Sequence, residues 1–102
     1  MIHVIAIITT KSGLRESVLQ HFRANVPVVQ AEDGCIEYGA TVDADNALAF
    51  QTPYGADTFV VVEKWASMAA LGAHAAAPHM VAYGAKTRDM IATRVIHILA
   101  PA

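Results

Sequence analysis

The 102 residues carry a formal net charge of −2, with seven Lys/Arg against nine Asp/Glu, and 55% of them are apolar while only 16% are charged. Scattered basic residues exclude a nucleic-acid footprint, and the lone Cys35 excludes an internal disulfide or a cysteine-based zinc site within one chain. The length predicts one domain over residues 1–102, and part of the apolar surplus of so short a chain is expected to be buried against a second copy.

Residues 2–10 are rich in β-branched types and predict a strand. Lys11-Ser12-Gly13 breaks it, with Ser12 placed to cap the helix that follows. Leu14, Val18, Phe22, Val26 and Val29 then recur at helical spacing. Pro27 falls inside that stripe and is expected to kink or split the helix near Ala24. Gly34 suits a left-handed cap at the helix end. Residues 35–42 read as a second strand, 43–46 as a turn, 48–51 as a short strand and 52–57 as a loop. Residues 58–65 form the strongest interior strand. A short helix follows over 67–76, then a second from Pro78 to about Ile91, because proline suits a first helical turn. Residues 93–99 make the last strand.

Strands and helices in this order predict an α+β, ferredoxin-like split βαβ antiparallel sheet with helices on one face. Val4, Ala6 and Ile8 point to one side of the first strand, and Ile5 and Ile7 to the other. The strand over 58–65 is likewise apolar on both sides. Helices cover only one face, so the economical cover for the second is the same sheet of another subunit, a homodimer. The apolar run from Ile2 to Ile8 lacks the basic leader and length of a signal peptide, and no run reaches membrane-spanning length. A cytoplasmic protein with no membrane or nucleic-acid partner is the expectation.

Chemistry-bearing residues cluster from Glu63 to Tyr83. Glu63 and Trp65 share a strand face, and a carboxylate ending an apolar strand needs a partner when buried. A ring nitrogen of a histidine is one candidate, and solvent, Arg15, Arg23 or Lys64 are equal alternatives. His74 and His79 would lie roughly 140° apart on an unbroken helix, which is not the i, i+4 pair of a zinc helix, and Pro78 interrupts the geometry. His79 opens a helix with Tyr83 one turn later, where an imidazole is placed to accept a phenolic proton. His21 is a further candidate if a pocket is bounded by the first helix. His3 and His97, on strands, are read as structural. No G-x-G-x-x-G, P-loop or G-x-S-x-G occurs, so the chain carries no recognisable nucleotide-cofactor motif or serine elbow. Trp65 and His79 are expected to border one apolar hollow wide enough for a planar ring.

The stretches Ile5-Ala6-Ile7 with Lys11-Ser12-Gly13, Val26-Pro27-Val28-Val29, Glu32-Asp33-Gly34-Cys35 with Tyr38, Val62-Glu63-Lys64-Trp65 and Leu71 through His74 and Pro78-His79-Met80 to Tyr83 run in order through nearly the whole chain. In them the sequence resembles the antibiotic biosynthesis monooxygenase (ABM) superfamily, and within it the bacterial quinol monooxygenases. The resemblance implies a dimeric α+β barrel and oxidation of a small apolar quinol or electron-rich aromatic by dioxygen, without flavin, haem or metal. It carries over His79, His74 and Trp65 as catalytic positions, with Glu63 and Tyr83 toward the substrate; His21 joins these last two only by its place on the first helix. Haem-degrading relatives bear an asparagine on the first strand, where this chain has none; its only two are Asn25 and Asn46. An alternative from the same resemblance is a processing enzyme for a small phosphorylated signalling metabolite; an alternative outside enzymology is a dimeric quinone-binding module without catalysis.

Overall fold

Strand β1 (Ile2–Thr10) lies inside a four-stranded antiparallel sheet of order β2-β3-β1-β4, with β2 at Cys35–Thr41, β3 at Thr58–Trp65 and β4 at Ile91–Leu99. The computed structural model describes all residues, 1–102. Helix α1 (Arg15–Gln30) connects β1 to β2; α2 (Met68–Ala76), α3 (Pro78–Thr87) and a 3-10 turn (Arg88–Met90) connect β3 to β4. This is the ferredoxin-like α+β arrangement that the order of elements predicts. None of the helices is long and apolar enough to cross a membrane.

The register pairs Ala6 with Val61 on β3 and with Ile96 on β4, so these side chains share one face. On that face Val4, Ala6 and Ile8 meet Phe59, Val61 and Trp65, and α1 covers them with Val18, Leu19, Phe22 and Val29, all buried. Phe22 anchors the layer, stacked on Tyr38 at 5.1 Å and edge-on to Phe59 at 6.0 Å. The opposite face presents Ile5, Ile7, Val60 and Val62, half-buried, and Val95, exposed. Both faces are apolar, as the alternation requires. Strand β4 is exposed almost throughout.

Four local expectations are corrected. Helix α1 runs unbroken through Pro27. A proline in a helix interior costs about 3 kcal/mol, but here it lies in the last turn. Burial of Phe22 and Val29 on either side contributes about 1.5–3 kcal/mol each. Packing wins. Ser12 makes no cap: Leu14 occupies the N-cap position without a side-chain bond, and Asp57 Oδ1 accepts the Gly13 amide at 3.0 Å. Gly34 is left-handed, with φ of 82°, but α1 has already ended at Gln30. Its role is to turn the chain into β2, where its carbonyl accepts the Ala66 amide at 2.8 Å. Residues 48–51 form no strand. Strands β2 and β3 pair directly with each other, Thr41 against Val60, and the outer edge of β2 stays unpaired; Leu48 and Phe50 are 68% and 84% exposed, so no apolar burial holds 48–51 in a strand.

Candidate active site

Alternation along β3 puts Phe59, Val61, Glu63 and Trp65 on the helix-covered face, so the carboxylate and the indole enter the core together. Trp65 is fully buried, and its indole N–H donates to Glu63 Oε1 at 2.9 Å. Ser67 then caps α2, its Oγ accepting the Ala70 amide at 3.1 Å. The residue before a proline avoids helical ψ. Ala77 accordingly adopts φ −62° and ψ 140°, and α2 ends there. Pro78 starts α3 on a new axis.

That break brings the two imidazoles together. On one continuous helix His74 and His79 would diverge; on two helices their ring centroids lie 6.4 Å apart. His74 is buried, tilted over Trp65 at 4.6 Å, with the Tyr38 ring edge-on at 5.4 Å. His79 is more open, its side chain 24% exposed. Between them stands Glu32, from the turn after α1. Its Oε2 lies 2.9 Å from His74 Nδ1, and its Oε1 touches His79 Nε2. On the far side of His79, Nδ1 faces the Asn25 amide nitrogen at 3.3 Å, and that nitrogen also lies 3.4 Å from Met80 Sδ.

Burial pushes the Glu63 carboxyl above the usual carboxylate range, opposed in part by the Trp65 hydrogen bond and by His74. Burial also raises the Tyr38 hydroxyl strongly and that of Tyr83 to about 12. The Cys35 thiol is raised as well, by burial and then by Glu32 and Glu63, so it is held as a thiol rather than a nucleophilic thiolate. No three His, Cys, Asp or Glu side chains converge as a metal site. Two imidazoles joined through one carboxylate, that of Glu32, are suited to taking up and passing on protons.

Of the six residues singled out from the sequence, the structure brings Trp65, His74, His79 and Glu63 into one cluster. Glu63 sits 3.9 Å from His74 Nε2, beyond hydrogen-bond reach, because its Oε1 is taken by the indole; Arg15, Arg23 and Lys64 bond elsewhere. Tyr83 makes no hydrogen bond with His79; its ring packs edge-on against Phe22 at 6.2 Å. His21 is exposed on α1, apart from the cluster. Two cavities, of about 300 and 180 Å³, lie under the 42–57 connection and between α1 and β2, and none of Trp65, His74 or His79 lines either. Neither of these two is the expected hollow between Trp65 and His79; His74 packs on the one and neighbours the other. Glu32 and Asn25 are the residues that sequence reasoning missed. Glu32 reads as the end of a helix, and its only signal is its place in the Glu32-Asp33-Gly34-Cys35 turn.

The fold is a ferredoxin-like sheet covered on one side by helices, with a cluster of two imidazoles, two carboxylates and an indole between the two layers. The profile described as antibiotic biosynthesis monooxygenase matches residues 1–86. The "Probable quinol monooxygenase YgiN" of Escherichia coli K12 is 39% identical over 103 residues, covering 99% of this chain and 98% of its own. Among solved structures, PA3566 from Pseudomonas aeruginosa superposes with a TM-score of 0.82 and Rv0793 from Mycobacterium tuberculosis with 0.80. Each is 25% identical and covers 99% of this chain, over 93% and 94% of its own length respectively. The chain belongs to the antibiotic biosynthesis monooxygenase family, and membership gives it a monooxygenase-type function.

Proposed function

We propose that this protein oxidises a quinol or another electron-rich aromatic with dioxygen, without an organic cofactor or a metal. The observation that carries the reading is the convergence of His74 and His79 on Glu32 beside the buried Trp65. The full-length similarity to a relative named a probable quinol monooxygenase supports the substrate class.

In this reading the aromatic hydroxyl gives its proton to an imidazole, and His79, the more open of the two, is the base. The resulting anion passes one electron to dioxygen, giving a substrate radical and superoxide. Their recombination forms a carbon–oxygen bond and, after protonation, a hydroperoxide. Its collapse keeps one oxygen atom as a carbonyl and releases the other as water, so no outside reductant is needed. The protein takes up the proton, stabilises the anion and limits water around it. Glu63 and Trp65 hold the inner wall against which His74 is packed. The open sheet face is assigned to a second copy of the chain.

Oxygen uptake by metal-free protein given a panel of reduced naphthoquinols, corrected for autoxidation, tests the proposal. Catalysed uptake with release of the oxidised ring is expected. Tight binding of these compounds with no uptake above background would make the protein a quinone-binding module instead.

A further inference from the structure

Glu32 is the one group in contact with both histidines. Its Oε2 is 2.9 Å from His74 Nδ1, while its Oε1, buried and without a hydrogen-bond partner, rests against His79 Nε2. An ionised carboxylate only accepts hydrogen bonds, so the His74 Nδ1 bonded to it must carry a hydrogen, and a lone pair on His79 Nε2 facing it would be repelled. The far side of His79 gives a second, separate constraint. There the Asn25 amide nitrogen, which only donates, lies 3.3 Å from Nδ1, and its 3.4 Å approach to Met80 Sδ fits the same amide orientation. Nδ1 of His79 must therefore present a lone pair. On His74 the remaining nitrogen, Nε2, faces Glu63 Oε1 at 3.9 Å, an oxygen already taken by the indole of Trp65.

We propose that Glu32 is the positioning residue of this site, holding the two neutral imidazoles in opposite tautomers: Nδ1–H at His74 and Nε2–H at His79. The consequence is an atom-level assignment. The basic nitrogens are Nε2 of His74, enclosed against Trp65 and Glu63, and Nδ1 of His79, which an incoming hydroxyl reaches by sharing or displacing the Asn25 amide. Without the carboxylate each ring is free to exchange tautomers and rotate, and the basic nitrogen is no longer aimed. The assignment of a base rests on the function proposed above; the tautomers themselves do not.

Two-bond 1H–15N correlation of the histidine rings in uniformly labelled protein reads the tautomers directly. It is done at about pH 8, above the ordinary imidazole value of about 6.5. The wild type is expected to show His74 as Nδ1–H and His79 as Nε2–H. Histidine in water favours Nε2–H, so His74 is the discriminating ring. Glu32→Gln offers an oxygen to one ring and an NH2 group to the other, so one of the two tautomers should invert while the backbone amide spectrum keeps its folded dispersion. A wild-type His74 in the Nε2–H form, or unchanged tautomers in Glu32→Gln, would overturn the assignment. Should Glu32→Gln fail to fold, the wild-type spectrum alone decides. Correct tautomers in a protein without quinol-dependent oxygen uptake would remove the proposed function and leave the role of Glu32 standing.

Discussion

His79 and His74 differ in how open they are, and that difference orders what their replacement should do. His79→Ala removes the accessible imidazole, so quinol-dependent oxygen uptake should fall by roughly 10²–10⁴, the usual contribution of a positioned base. His21→Ala, on the exposed side of α1, should leave uptake unchanged. Equal rates in wild type and His79→Ala would take that residue out of the chemistry. Glu63 supplies a pH test. Burial raises its carboxyl, so the folded chain holds that proton more tightly than the unfolded chain does. Its stabilising contribution is therefore complete below the ordinary carboxylate range and is lost as pH rises through the raised value. Glu63→Gln keeps an acceptor for the Trp65 indole and carries no charge. Its melting temperature relative to wild type should rise with pH across that window. A difference that is flat with pH would show that Glu63 does not titrate abnormally.

Helix α1 and the turn after it set the reach of Glu32, and Gly34 is the residue that shapes this turn. Its φ is 82°, and a Cβ placed there would lie 2.6 Å from Ala70 Cβ, so the turn is packed directly on α2. Gly13 also has positive φ, 78°, but a Cβ there meets nothing within 4 Å. Gly13→Ala should lose about 1–2 kcal/mol from backbone conformation alone. Gly34→Ala should lose a further ~1–3 kcal/mol from overpacking, and should disturb the Glu32 contacts as well. Urea denaturation of both variants separates the two effects, and equal losses would show that the turn gives way freely. The break at Pro78 was visible in the sequence as an interruption. Its outcome was not, because the angle between α2 and α3 depends on how each packs against the sheet.

One face of the sheet is covered by helices and the other is not. Ile5, Ile7, Val60 and Val62 form an apolar surface on the uncovered side that a second copy would bury. Sedimentation at micromolar concentration should therefore report twice the 10.8 kDa chain mass. Val62→Glu should shift the protein to monomers, since a carboxylate would be desolvated at the centre of the face. A wild type that sediments as a monomer would remove the sheet-to-sheet assembly. The alternation that exposes this face was legible from the first and third strands alone, because side chains in a strand change sides at every residue.

What the order of residues determined without help is local or periodic: the β-branched strands, the stripe on α1, and the shared face of Glu63 and Trp65. The break before Pro78 and the left-handed Gly34 belong to the same class. Each depends on backbone preference or on alternation within a few residues. Only the tertiary structure decided that Pro27 would be carried inside an unbroken helix, because burial on both sides of it outweighs one missing hydrogen bond. It alone decided that His74 would meet Glu32, 42 residues away, and that His79 would meet Asn25, 54 residues away. Contacts across such distances follow from which helix faces close over the sheet, and no spacing within a single segment encodes them.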